Sequence, residues 1–256
     1  MALLALTVIG PAEGSGHGPV FGLATPTLGK GGLSLDLAAM SRGGDADGVM
    51  LRPMLSFGVT ADVQLSLSAP FPLGGTPARF GRGMALMPAS GDVEVLAAWR
   101  FHRQSRGVGA RFESTVFVGL TLPALSSAPG VEARPGLIAS AVTGYASRSV
   151  YAWLGGLYRR SPGDERPGDV AQATLVLGYR PARFRRDDAY GDWRGFLEVL
   201  GERQDGASAL YAGPTLLGLH GPWGLSAGAV FRVATSGHAR ERAPRVRVAV
   251  NVTYWF

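Results

Sequence analysis

The sequence predicts an all-β protein: a single antiparallel up-and-down transmembrane β-barrel of about twelve strands. Three observations lead to this prediction. Apolar and polar residues alternate with a period of two in one segment after another. No segment of convincing length shows a helical period. The connections between segments alternate between short and longer ones, as they do in barrels whose two ends face different compartments.

The clearest strand is predicted at the C-terminus. Because successive side chains of a strand point to opposite faces, this segment has one wholly apolar face and one polar face. Valines and aromatic residues from Val246 to Phe256 form the apolar face, and the polar face carries Arg245, Arg247, Asn251 and Thr253. The apolar face is long enough to meet lipid.

The same alternation recurs upstream. Further strands are predicted around Leu33–Leu37, Leu51–Phe57, Val63–Leu67, Val93–Phe101, Arg111–Leu120, Trp193–Glu202 and Leu225–Val233. Four other segments are β-like without a clean face: Gly136–Ala146, Val150–Tyr158, Asp169–Arg180 and Ala209–Leu219.

The connections assign the two ends of the barrel. Tight turns are predicted at Thr60–Asp62, Ser147–Ser149 and His220–Pro222, and medium ones at His102–Gly109 and Pro181–Asp192. Longer loops are predicted at Ser41–Gly48, Pro70–Gly91, Pro123–Pro135, Arg159–Gly168, Arg203–Ser208 and Ala234–Ala243. An even strand number then places both termini and the short turns in the periplasm of a Gram-negative bacterium, with the barrel in its outer membrane.

Composition excludes several other classes of protein. Of the 256 residues, 46% are hydrophobic and 17% charged, which argues against disorder. The absence of cysteine excludes a disulfide framework, a zinc ribbon and an iron–sulfur cluster. The net charge is +6, but the arginines are scattered and Lys30 is the only lysine, so nucleic acid is not an expected partner. The four histidines lack metal-ligand spacing, so neither a metal nor a cofactor is predicted.

The polar face is predicted to line the lumen, because a charge facing lipid near the midplane costs about 2–4 kcal/mol. Two interpretations of this lining stay open: a narrow channel or transporter for a small solute, or a closed barrel plugged by ion pairs that has a structural or surface-interaction role. In a channel, the candidate residues for selectivity are Arg52, Glu94, Arg100, Arg111, Glu113, Glu198, Glu202, Arg232, Arg245 and Arg247.

The N-terminus is expected to lie outside the barrel. Residues 1–16 combine an apolar run with small residues but lack a basic start, so they are interpreted as the remnant of an export signal. Residues 17–30 are expected to form a periplasmic segment, and residues 31–256 the barrel domain.

Several short motifs resemble a known group. They are His17–Phe21, Gly91–Val95 with Trp99–Phe101, Leu177–Pro181, Phe196–Val199 and Val252–Phe256. The chain resembles the outer-membrane β-barrels of the MetA-pathway phenol-degradation family, which are also described as transporters. The resemblance implies an exported barrel with a transport role and brings no catalytic or binding residues.

The last strand is also similar to the C-terminal signal by which the barrel-assembly machinery recognises its clients. The residues that match it are Val248, Val250, Val252, Tyr254 and Phe256. Outer-membrane lipid and lipopolysaccharide are further expected partners, because arginines of the outer loops such as Arg79 and Arg160 can bind phosphate by bidentate hydrogen bonds. The alternative for these arginines is that they only keep the exposed loops soluble.

An enzyme is not predicted. A barrel lipid hydrolase needs serine and histidine close together near the outer membrane edge, whereas His102 and His220 fall towards the periplasmic ends. Lipid hydrolysis therefore ranks below the two other interpretations.

Overall fold

The structure is a computed structural model that describes residues 18–41, 49–73, 93–122, 135–160, 169–184, 191–237, 239 and 243–256. The strand segments are β1 (Leu33–Ser41), β2 (Val49–Gly58), β3 (Val63–Ser68), β4 (Phe71–Leu73), β5 (Val93–Ser105), β6 (Arg111–Leu122), β7 (Gly136–Ala146), β8 (Val150–Arg160), β9 (Val170–Tyr179), β10 (Asp192–Gln204), β11 (Ala207–His220), β12 (Trp223–Ser236) and β13 (Val246–Trp255). One 3₁₀ turn spans Ala182–Phe184. None of the helices in the described ranges is long and apolar enough to cross a membrane. The predicted export-signal remnant lies outside these ranges, as do most residues of the long loops.

The strands form one closed antiparallel barrel. From β5 to β13 each strand pairs with the next one in sequence, β5 pairs with β3, and β1 pairs with both β2 and β13, which closes the sheet. Strands β3 and β4 both pair with β2 and are two parts of one barrel strand, separated by Ala69 and Pro70. Proline has no N–H to donate to the ladder, which accounts for the break. The barrel therefore has twelve strands, and the predicted fold is confirmed.

The outer wall is apolar along its length. Burial alternates residue by residue in most strands, and the exposed positions are mainly leucine, valine and aromatic residues. Val248, Val250 and Val252 are 47%, 41% and 38% exposed on the outside, while the intervening Ala249 is buried inside. The Tyr254 ring contacts those of Trp223 and Phe256 where β12 and β13 meet the C-terminus. An apolar belt with aromatic residues at its edge is the outer surface that a bilayer requires.

The two ends of the barrel differ. The turn end carries the connections that follow β2, β5, β7, β9 and β11, together with the C-terminus; the loop end carries the other connections. One predicted loop is wrong. Arg203–Ser208 was expected to be a longer loop, but β10 and β11 continue through it to a two-residue turn at Asp205 and Gly206. Both residues have positive φ, 49° and 76°, as a type I′ hairpin requires.

The lipid-facing assignment of β13 gives a first prediction. Val250 lies in the middle of the strand and points outwards, so Val250→Arg is expected to lower the free energy of unfolding in a bilayer by about 2–4 kcal/mol. Reversible guanidinium unfolding in phospholipid vesicles measures this free energy of unfolding. Val250→Leu is the control and is expected to unfold like the wild type. Equal stability of the arginine variant would contradict an outward Val250.

Candidate functional site: the lumen and the segment inside it

Residues 18–28 lie inside the barrel, and we call them the inner segment. The chain enters through a reversal at Gly29–Gly32 on the turn end, where Gly31 has a φ of 78° and donates to the Gly58 carbonyl at 2.7 Å. Gly58 must be glycine here, since a Cβ would lie 1.9 Å from the Gly29 carbonyl oxygen. Residues 17–30 were expected to form a periplasmic segment; the structure instead places the inner segment in the lumen, where side chains of the barrel wall satisfy its backbone groups.

One carboxylate holds the middle of the inner segment. Glu198 of β10 is fully buried and accepts hydrogen bonds from the backbone N–H groups of Val20, Phe21 and Gly22 at 2.7, 2.8 and 2.6 Å. The Thr215 hydroxyl donates a fourth bond at 2.6 Å. Successive N–H groups that converge on one anion form a nest, which offsets the cost of burying the charge.

Further contacts hold the inner segment nearer the turn end. The Thr115 hydroxyl of β6 donates to the Thr25 carbonyl at 2.6 Å, and the Trp153 indole N–H of β8 donates to the Thr25 hydroxyl at 3.2 Å. The Leu28 N–H donates to the Gln64 side-chain oxygen of β3 at 2.8 Å. Together with Glu198 and Thr215, these groups come from five strands around the barrel.

Apolar side chains of the inner segment pack in two clusters inside the lumen. Val20 and Phe21 join a cluster towards the loop end, and Leu23 joins a second one with Trp153 and Phe196. The first cluster consists of Val20, Phe21, Ala38, Met40, Met50, Leu200, Ala207, Ala209, Tyr211, Val230, Ala239, Ala243 and Ala249. Ala239 and Ala243 belong to the connection between β12 and β13, so these two residues of the loop end also pack in the lumen.

Most of the predicted lumen charges do face inwards. Arg52, Glu94, Arg100, Glu113, Glu198, Glu202 and Arg247 are all buried on the inner wall. Arg111 is half-buried at the start of β6 and pairs with Glu113 at 3.0 Å, and Arg232 is half-buried and donates to the Ala243 carbonyl. The assignment of Arg245 to the lumen is wrong: it precedes β13 and is exposed, because the strand alternation does not extend to it. A role of the other nine in selectivity stays a prediction.

The buried charges are mainly paired within the wall. Glu202 and Arg247 form a bidentate pair with both N–O distances at 2.8 Å, and the guanidinium lies 4.0 Å from the centre of the Tyr211 ring. Arg100 bridges Asp62 at 2.7 Å and Glu113 at 3.1 Å near the turn end. These pairs agree with an ion-paired wall, but the inner segment is what fills the centre.

The structure assembles no hydrolytic site in the residues it describes. His102 and His220 are both exposed at the turn end, and neither hydrogen-bonds to a serine in the described ranges. Within those ranges there is also no group of three or more potential metal ligands.

The inner segment is the feature that the sequence analysis missed. Its key groups are backbone N–H groups of Val20, Phe21 and Gly22, which leave no side-chain pattern in the sequence. The one available signal is the run Gly29-Lys30-Gly31-Gly32 directly before β1, since so many glycines allow the chain to turn back on itself.

The fold is shared with solved outer-membrane channels. The chain is similar to the COG4313 outer membrane channel from Pseudomonas putida F1, with 15% identity and a TM-score of 0.58 over 91% of this chain and 98% of that one. It is also similar to the KdgM porin in complex with disordered oligogalacturonate, with 11% identity and a TM-score of 0.51 over 86% and 98% of the two chains. The NanC porin matches with 10% identity and a TM-score of 0.51 over 87% and 98%.

At these identities the likeness shows the fold alone: a transmembrane β-barrel of the porin-like type. No family model and no curated protein sequence matches the chain, and the resemblance to the MetA-pathway phenol-degradation family therefore stays a prediction.

The pair of Glu202 and Arg247 gives a second prediction. Removing one partner leaves the other charge buried and unpaired, so Glu202→Leu and Arg247→Met are each expected to lower the free energy of unfolding by about 3–5 kcal/mol. The double variant buries no charge at this site and is expected to lose much less than the sum of the two. Guanidinium unfolding of the four proteins in vesicles gives the coupling energy. Additive losses would show that the pair does not act as a unit.

Proposed function

We propose that the protein is an outer-membrane channel for a small solute, closed in this structure by its own inner segment and conducting when that segment leaves the lumen. The observation that carries the proposal is the docking of the segment on Glu198. A chain segment held inside a closed barrel by hydrogen bonds to side chains is a removable plug, whereas a strand of the wall is not.

The nature of the contacts supports removal. The inner segment forms no strand and is absent from the sheet pairings of the barrel. Its covalent connection to β1 is the reversal at Gly29–Gly32. The glycines there permit the change in backbone direction that is needed for the inner segment to leave the lumen. Its departure uncovers an inner wall that already carries Glu198, Thr115 and Gln64, which are polar groups suited to water.

The size of the barrel fits this role. About eight strands leave an interior that side chains fill, and about sixteen leave an open channel. Twelve strands lie between these limits, so a wall of this size needs an extra element to fill its lumen, and the inner segment supplies it. In the open state, the inward Arg52, Glu94 and Arg100 with the rest of the charged lining would then set the selectivity.

The proposal also includes the orientation of the barrel in the outer membrane and its contacts with lipopolysaccharide and the barrel-assembly machinery. The turn end and the C-terminus face the periplasm, and the loop end meets lipopolysaccharide. The exposed Phe256 and the outward Val248, Val250 and Val252, with the half-buried Tyr254, serve as the signal for the barrel-assembly machinery. The apolar outer belt supports a membrane location for the wall.

A closed barrel with a structural or surface-interaction role is the second candidate. The observation that favours it is that Ala239 and Ala243, from the loop end, belong to the same buried apolar cluster as Val20 and Phe21. Such a cluster fills this part of the lumen with side chains from two parts of the chain.

A reversible crosslink distinguishes the two candidates. A Cβ built on Gly155 of β8 lies 3.2 Å from the Leu23 Cβ, which a small shift brings to the spacing of about 3.5–4.5 Å that a disulfide needs. Since the chain has no cysteine, Leu23→Cys with Gly155→Cys introduces the only thiols. We expect planar-bilayer recordings to show no channel openings under oxidising conditions and openings after reduction. Each single-cysteine variant is the control and is expected to conduct regardless of redox state.

A complementary prediction concerns Glu198, on which the inner segment docks. Glu198→Ala removes the acceptor of three backbone N–H groups, and a loss of about 1.4 kcal/mol of docking free energy already raises the open fraction about tenfold. Thr174→Val is the matched control, because Thr174 is also buried on the inner wall and its hydroxyl makes no hydrogen bond in the described ranges. If a folded variant that lacks residues 18–28 never conducts, the channel proposal fails and the closed barrel is favoured.

A further inference from the structure

Arginines are concentrated at two neighbouring turns of the turn end. The turns that follow β5 and β7 lie side by side, because β6, which continues from the first turn, pairs with β7, which leads into the second. Residues 100–113 and 146–150, which include these turns, contain five arginines and one carboxylate, that of Glu113. We call the five the arginine cluster: Arg100, Arg103, Arg106, Arg111 and Arg148.

Carboxylates neutralise part of the arginine cluster. The buried Glu113 lies beside three of the guanidinium groups, at 3.1 Å from Arg100, 3.0 Å from Arg111 and 3.9 Å from Arg103. A second carboxylate, Asp62 at the turn after β2, lies 2.7 Å from Arg100. Three arginines therefore share two carboxylates, and their combined charge stays positive.

The other two members of the cluster have no acidic partner. Arg106 and Arg148 are exposed, and neither side chain forms an ion pair or a hydrogen bond in the part of the chain that the structure describes. The Arg148 side chain lies over the turn after β5, since a Cβ built on Gly109 would be 2.8 Å from its Nε. It therefore joins the arginines of the two turns into one surface.

The same imbalance continues on the next turn of the rim. Asp192 is shared by Arg180 and Arg194, each at 2.6 Å. The Arg180 backbone N–H donates to the Ser149 carbonyl at 2.7 Å, which places this group beside the turn that carries Arg148. Along this side of the turn end, arginines outnumber the carboxylates that they contact.

We infer that the arginine cluster is a binding site for a small organic anion that carries at least two carboxylate or phosphate groups. Guanidinium groups bind both kinds of group through paired, charge-assisted hydrogen bonds. The side chains of Arg103 and Arg111 are 61% and 40% exposed, and Arg106 and Arg148 are exposed as well, so all four are open to a ligand from solution. An anion with several charged groups is favoured because it contacts guanidinium groups from both turns, whereas a cation is repelled.

The position of the cluster connects it with the lumen. Glu113 faces the lumen, and the inner segment contacts it there, because the Thr25 hydroxyl donates to Glu113 at 3.3 Å. The arginines around Glu113 therefore border the mouth of the barrel at the turn end. A mouth lined by one sign of charge raises the local concentration of an oppositely charged solute. The inference rests on the proposed channel in one respect: it names the charge of the solute that the channel would pass.

Direct binding tests the inference without relying on conduction. Isothermal titration calorimetry on the full chain in a zwitterionic detergent is run with citrate, with acetate and with spermidine, which are a trivalent anion, a monovalent anion and a trivalent cation. We expect citrate to bind more tightly than acetate, and spermidine not to bind. Absence of citrate binding, or binding of spermidine as tight as that of citrate, would overturn the assignment to anions. Equal affinity for citrate and acetate would overturn the requirement for several charged groups.

Two double variants with the same change in net charge locate the site. Arg106→Gln with Arg148→Gln removes the two exposed arginines of the cluster that have no acidic partner, so no buried carboxylate loses its ion pair. Arg203→Gln with Arg245→Gln removes two exposed arginines at the loop end. We expect citrate to bind about tenfold more weakly, or weaker still, to the first variant and unchanged to the second.

The outcomes separate the site from the channel. Circular dichroism checks that both double variants are folded, and Arg148→Gln alone replaces the first should it not fold. An equal loss of affinity in both variants would show an effect of net charge only and would refute the site. A barrel that conducts but does not bind citrate would refute the site and leave the channel, whereas citrate binding at the cluster by a barrel that never conducts would refute the channel alone.

Discussion

The pairing of β1 with β13 is the interaction on which the rest of the structure depends. In a bilayer each backbone N–H and C=O group must be satisfied within the protein, and a sheet meets this condition only when its first and last strands join. Closure divides every strand into an outer and an inner face. The outer face becomes a belt of leucine, valine and aromatic side chains, and the inner face becomes the place for Glu198, Glu202 and the inward arginines.

Closure also leaves a space to be filled, because twelve strands enclose more volume than their inward side chains occupy. The chain fills it with residues 18–28. Their backbone groups bind Glu198, Thr115 and Gln64 of the wall, and their apolar side chains pack in the space that remains. The buried charges divide accordingly into two kinds: pairs such as Glu202 with Arg247, which belong to the wall, and Glu198, which accepts three of its four hydrogen bonds from the inner segment. Removal of the segment affects the second kind and leaves the first intact.

The barrel could be predicted from the sequence because its signal is local and repeated. The alternation around Val248, Val250 and Val252 identifies the two faces without knowledge of any neighbour in space, and the same is true for the inward position of Glu94 and Glu113. The lumen assignment failed where the alternation stops. Arg245 is two residues before the inward Arg247 and would face inwards if the strand extended to it, but β13 begins at Val246. The turn at Asp205 and Gly206 was missed because polar residues continue into both strands. The inner segment could not be predicted, since the groups that hold Val20, Phe21 and Gly22 lie more than 170 residues away in sequence.

That separation imposes an order on assembly. Glu198, Thr115, Trp153 and Gln64 form one surface only after the strands that carry them have paired, and β1, which tethers the inner segment, joins the last strand of the chain. The inner segment therefore docks only on a sheet that already extends from β3 to β11. A barrel whose strands are paired in the wrong register offers the segment no complete docking surface, so occupancy of the lumen reports on the correctness of the whole wall.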